Sequence, residues 1–182
     1  MKKEQVIGLW ATLCKALSLR AEFYDDARST PKSHRTAFTI VLLAAVSHTL
    51  GSAVILLINR AALPHLLLAL AVNGLSVVGG YYAWTWMTWQ VGQLLKVNAP
   101  SYRELLVPIG FAYAPQTLNV LTLIPLLGRP IGLVLAAWSL LAVIVAVREG
   151  LDIRARRAVL ICAVGWTFVQ LAIGAIQILS TS

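Results

Sequence analysis

Charged side chains divide this chain into long apolar stretches. Residues 37–58 form a run of 22 without a charge, enough for about 33 Å of helix at 1.5 Å per residue. That predicts a first membrane span. Arg60 and Pro64 mark a short turn, and residues 65–89 form a second charge-free run. It closes in the ring cluster Tyr81, Tyr82, Trp84, Trp86 and Trp89, a composition suited to a membrane–water interface. Lys96, Pro100, Tyr102, Arg103 and Glu104 make a polar connection into a third run, residues 105–127, interrupted by Pro108, Pro115 and Pro125. Gly128-Arg129-Pro130 predicts a tight turn. The fourth run, residues 131–147, has 17 residues and is near the lower limit for a span, whereas the fifth, residues 158–179, has 22.

Ahead of the first span, Val6, Leu9, Trp10, Leu13 and Leu17 recur at helical spacing, with Lys15 and Arg20 off the stripe. This predicts an amphipathic helix anchored in the membrane interface; docking onto a partner is the other use of such a stripe. Ser29, Thr30, Pro31 and Ser33 read as a linker. The expected fold is all-α: a polytopic membrane protein with five transmembrane helices and an N-terminal interfacial amphipathic helix. Its expected division is a cytoplasmic N-terminal segment (1–36) and a five-helix membrane domain (37–182).

Composition strengthens this picture. The chain of 182 residues is 59% hydrophobic and only 12% charged, about half the usual charged share. Those figures fit a soluble globular domain poorly. The net charge of +8 has to be read by position. Five alternating spans put the N-terminal segment, the loop between spans two and three and the loop between spans four and five on one side, with 13 of the 15 Lys/Arg and all seven acids. Only Arg60 and Arg129 face the other side. The positive-inside rule then places the N-terminus in the cytoplasm and the C-terminus outside. The basic pI therefore reflects topology, and no nucleic-acid partner is implied. Lys2 and Lys3 are not followed by a clean apolar core and cleavage site, so no removable signal peptide is expected. Cys14 and Cys162 have no paired spacing, which predicts neither a disulfide nor a metal site.

No charged side chain lies inside the five runs, which argues against ion-coupled transport. The polar residues there are neutral: Ser47, His48 and Thr49, then Asn59, Asn73, Gln116, Asn119, Gln170 and Gln177. Most suit interhelical hydrogen bonding. His48 has no second His or Cys four residues away, so packing is favoured over metal ligation. Gln170, Gly174 and Gln177 share one small, polar helix face. In Gly110-Phe111-Ala112-Tyr113-Ala114-Pro115-Gln116, Pro115 has no N–H for the Phe111 carbonyl and its ring clashes there, so a kink is expected. A structural kink is favoured over a moving hinge. Gly110 and Ala114 would let another helix approach at the same place. The segment 148–157 carries Arg148, Arg154, Arg156 and Arg157, suited to anionic lipid headgroups or an acidic protein surface, or acting only as a topological clamp. Nothing has the pattern of a nucleophile, base and acid set, a phosphate-cradling glycine loop or a zinc-protease helix. No cofactor or metal is expected.

This order of features resembles the Yip family, the Ypt/Rab-interacting membrane proteins, whose members have a cytoplasmic N-terminal segment followed by five membrane helices. The family's GYxxxP signature in the third helix is similar to Gly110-Phe111-Ala112-Tyr113-Ala114-Pro115, with Phe111 in place of the tyrosine. The region around Trp138, with Arg148-Glu149-Gly150-Leu151 and the basic stretch into Ala158, resembles the Trp-rich fourth helix and polar loop of bacterial members. The resemblance covers residues 35–180, most closely 102–165. The DLxGP motif of eukaryotic members is absent from residues 1–36, where Tyr24-Asp25-Asp26 is the nearest acidic stretch. The likeness is thus to the short, bacterial-type branch, and Rab binding is not carried over.

The resemblance implies a non-enzymatic protein of a bacterial inner membrane that acts through contact with other membrane proteins or lipids, in membrane organisation or as an accessory subunit. The expected partners are membrane lipids, other integral membrane proteins or a second copy of the chain. Gly110, Phe111, Tyr113 and Pro115 are the expected kinked contact site, and Arg148, Arg154, Arg156 and Arg157 the cytoplasmic contacts. The alternative is a small transporter or channel component in which His48, Asn73, Gln116 and Asn119 line one wet path. An intramembrane enzyme ranks third, because one histidine and scattered amides supply no acid, base and nucleophile.

Overall fold

A computed structural model describes residues 8–26, 31–58, 60, 62–94, 100–124 and 126–165. In chain order these form α1 (Leu9–Leu17), α2 (Ala21–Asp26), α3 (Pro31–Ile58), α4 (Leu63–Leu94), α5 (Tyr102–Phe111), a 3-10 helix (Ala114–Leu123) and α6 (Gly128–Leu151). A last helix, α7, covers residues 155–165. Among the described residues there is no strand.

Among the described residues, three helices are long and apolar enough to cross a membrane: Ser33–Ile58, Leu63–Leu94 and Gly128–Leu151. They correspond to the first, second and fourth apolar runs. The third run differs from a single kinked helix. α5 stops at Phe111, Ala112 and Tyr113 make a turn, and the chain continues as a 3-10 helix with Pro115 in its first turn. There the missing N–H of proline interrupts no helical bond, because the first turn has none to lose. Together the two ten-residue pieces cover about 35 Å at the rises of the two helix types. Of the fifth run only the part up to Gly165 is described, so Gln170, Gly174 and Gln177 lie outside the described residues, as do Val6, Ser29, Thr30, Asn59 and Pro125.

A 3-10 helix of ten residues is long, since runs beyond three or four are uncommon. Its support comes from α3. Ser47 is buried, and its Oγ accepts the Val120 backbone N–H at 2.9 Å. The hydroxyls of Thr117 and Thr122 donate to the carbonyls of Ala114 and Asn119, each at 2.7 Å. The α3 pairing with this segment is the most extensive between any two elements. At the start of α5, the Ser101 N–H donates to the Glu104 carboxylate at 3.2 Å, which settles one exposed donor and puts a negative charge at the positive end of the helix.

The N-terminal stripe does form a helix, α1, but its apolar residues part company. Leu13 is buried and Leu17 is packed on the core, whereas Leu9 and Trp10 point outward, Trp10 being 75% exposed. Trp138 Nε1 of α6 donates to the Leu17 carbonyl at 3.1 Å. The Tyr24 hydroxyl donates to the Ala16 carbonyl at 3.1 Å, closing α2 against α1.

Two outcomes test this account. Ser47→Ala should lower the stability of the detergent-solubilised chain by about 1–3 kcal/mol, the cost of an orphaned N–H, and Ser47→Thr should recover most of it in a thermal unfolding assay. Trp138→Phe should speed amide exchange in residues 9–26, read by mass spectrometry, and leave α3 and α4 as protected as before.

Candidate functional site

The expected contact motif lies inside the bundle. Gly110, Phe111 and Pro115 are buried, and Tyr113 is partly buried. A Cβ on Gly110 would come within 2.9 Å of the Ala37 Cβ and 3.3 Å of its backbone carbonyl. The close approach that small residues permit is therefore made by α3 of the same chain. Phe111 meets the ring of Phe23 with centroids 5.1 Å apart and the edge of Tyr24 at 6.5 Å. Tyr113 stands edge-on to Tyr81 at 5.9 Å, and the Tyr81 hydroxyl donates to the Leu106 carbonyl at 2.9 Å. Gly110, Phe111 and Tyr113 thus tie α2, α3, α4 and α5 together. Burial pushes the Tyr24 phenol above its ordinary pKa, which keeps it protonated as the donor to Ala16.

On the opposite side of α5, a Cβ on Gly150 would meet Leu105 Cδ2 at 2.9 Å and Pro108 Cγ at 3.5 Å. The sequence reading treated Gly150 only as part of a polar segment, although a glycine one residue before the last residue of an apolar helix was its available signal. Just beyond, Asp152 adopts φ 49° and ends α6 in a left-handed turn, and the Ile153 N–H returns to the Arg148 carbonyl at 3.1 Å. This turn presents the basic segment. Arg154, Arg156 and Arg157 are exposed. Arg148, about half exposed, instead pairs with the largely covered carboxylate of Glu149 at 3.1 Å.

The polar intramembrane positions are only partly brought together. His48 and Asn119 line a recess of about 250 Å³ with Gly51, Ser52 and Thr122. Asn73 and Gln116 are not part of its lining. A larger recess of about 510 Å³ lies next to it, walled by Leu123, Ile124, Leu126, Gly128 and Arg129, and Thr122 lines both. Sequence reading assigned Arg129 to a tight turn and missed this neighbourhood, because Arg129, Thr122 and His48 lie on three separate elements. Among the described residues, no three His, Cys, Asp or Glu side chains group to hold a metal ion.

Residues 16–179 match the Yip1 domain family. No curated protein and no solved structure gives a significant match.

The glycine contact gives a sharp expectation. Gly110→Leu should cost about 1–3 kcal/mol or more through overpacking, and Gly110→Ala less, both read as lower melting temperatures in detergent. Adding Ala37→Gly to Gly110→Ala should restore part of the loss. Strict additivity of the two changes would show that the helices do not meet there.

Proposed function

This chain is a member of the Yip1 domain family, and from that premise we propose that it is a non-enzymatic, five-span protein of a bacterial inner membrane that acts by contact with other membrane proteins and with lipids. The observation that carries the reading is the bareness of α4. Only 6% of its most apolar stretch is buried inside the bundle, and Leu67, Leu68, Val72 and Leu75 are exposed. A helix so uncovered requires lipid or another membrane protein around it. In this reading α5 and the 3-10 helix act as one span, and α7 opens the fifth. The N-terminal segment and the turn after α6 face the cytoplasm, and the C-terminus lies outside. Trp10, projecting from α1, serves as an interfacial anchor.

The cytoplasmic contacts fall to Arg154, Arg156 and Arg157. They are exposed just past the turn that closes α6, Arg156 and Arg157 in the first turn of α7, and each is worth about 1 kcal/mol against an anionic membrane surface. Gly110, Phe111, Tyr113 and Pro115 act one step back, by holding the helices that frame this face. The transporter alternative would need all four polar positions on one path, and only His48 and Asn119 share a recess.

A photo-crosslinking residue at position 156, used in native membranes, tests this reading. We expect discrete adducts to protein or lipid, reduced several-fold when Arg154 and Arg157 become glutamine. Cysteines placed at 60 and 129, in a chain with Cys14 and Cys162 replaced by serine, should both react with an impermeant reagent from outside the cell. Labelling of these two positions from opposite sides would rule out the five-span arrangement, and an absence of any adduct at 156 would rule out the contact role.

A further inference from the structure

The end of the bundle away from the basic turn is stepped. Val120 lies level with Ser47 of α3, and Gly74 of α4 packs beside Thr49. Beyond Ser47, α3 continues for 11 residues to Ile58, about 16 Å. The 3-10 helix ends three residues beyond Val120, about 6 Å. The α3–α4 pair therefore rises about 10 Å above the turn that leads into α6, by the same helix rises. The two recesses that share Thr122 occupy this step.

The chemistry of the step is uneven in an informative way. Arg129 sits in the first turn of α6, which has no acidic residue, and the helix dipole disfavours a cation there. All seven acids of the chain lie at positions 4–26 and 104–152, none of them in the lining of either recess. Beside the guanidinium, Leu126 is fully exposed at φ 67° and Leu133 is 74% exposed, so an apolar floor adjoins a positive charge with no acidic side chain in the described lining. The smaller lobe offers only neutral groups. The Ser52 and Thr122 hydroxyls donate to the carbonyls of His48 and Asn119, leaving oxygen lone pairs free to accept, while the His48 ring and the Asn119 amide can donate.

We propose that this step binds one phospholipid with a hydroxylated anionic headgroup, of the phosphatidylglycerol kind. The phosphate pairs with Arg129, the headgroup hydroxyls turn toward Ser52, His48 and Asn119, and the acyl chains lie over Leu126 and Leu133. A headgroup ammonium finds no carboxylate in either lobe, which sets this class apart from zwitterionic phospholipids. The inference rests on the chain being a membrane protein that contacts lipid, and it assigns that contact to a site separate from the cytoplasmic arginines.

Native mass spectrometry of the full chain in detergent, titrated with defined probes, tests it. Dioleoylphosphatidylglycerol should be retained as one copy and bind at least about tenfold more weakly to Arg129→Gln, the loss of one charge-assisted contact. Arg129→Lys should keep most of the binding, and Arg60→Gln all of it. Dioleoylphosphatidylethanolamine and phosphate-free dioleoylglycerol should bind more weakly than phosphatidylglycerol to the unaltered chain, and millimolar inorganic phosphate should not displace the lipid. Equal retention by Arg129→Gln, equal binding of the two phospholipids, or displacement by free phosphate would overturn the assignment. Loss of retention when Arg154, Arg156 and Arg157 are all glutamine, with Arg129→Gln unaffected, would overturn it too, while leaving the cytoplasmic contact role intact. Failure to retain any lipid alongside persistent protein adducts at position 156 separates the two in the same way.

Discussion

The absence of a side chain at Gly110 is the constraint from which the rest of the packing follows. With hydrogen in place of Cβ, α5 comes close enough for the Ala37 methyl and carbonyl to fill the space a side chain would take. In an apolar surrounding, helix association draws on such close van der Waals contact, because burial against lipid offers little hydrophobic gain. The neighbouring residues then have their positions set. Phe111 is held where Phe23 and Tyr24 cover it, and Gly150 repeats the device so that α6 can lie against Leu105 and Pro108. α5 becomes the post around which α2, α3 and α6 are arranged.

Backbone hydrogen bonding explains what happens next along the chain. A proline four residues beyond Phe111 cannot continue an α-helix, and unpaired peptide groups are costly where water is absent. The chain changes helix type, so that Pro115 falls in a first turn, and α3 steadies the segment further along, where Ser47 accepts the Val120 N–H. This segment stops three residues past Val120, whereas α3 runs 11 residues past Ser47, so it ends below α3 and α4. The step at that end of the bundle, with its two recesses, follows from where the 3-10 helix stops relative to α3.

The two ends of the molecule consequently differ in character. One carries the exposed Arg154, Arg156 and Arg157, just past a turn that Asp152 fixes. The other carries an isolated guanidinium beside exposed leucines and neutral hydrogen-bonding groups. Gly110, Phe111 and Pro115 are buried within the bundle, while α4 and the arginines past α6 are exposed.

By itself the sequence determined where α3, α4 and α6 would form, because a span is a local property: a charge-free run either matches the thickness of the bilayer or it does not. It likewise pointed to an irregularity near Pro115, expected as a kink, from the proline alone. Only the tertiary structure decided which helix approaches Gly110, that Leu13 and Leu17 turn inward while Leu9 and Trp10 do not, and that a 3-10 helix replaces a kinked one. It also brought His48, Asn119, Thr122 and Arg129 around one step. These depend on partners more than seventy residues away, such as Ser47 for Val120 and Ala37 for Gly110. A small residue or a lone hydroxyl advertises that something can come close, and packing decides what does.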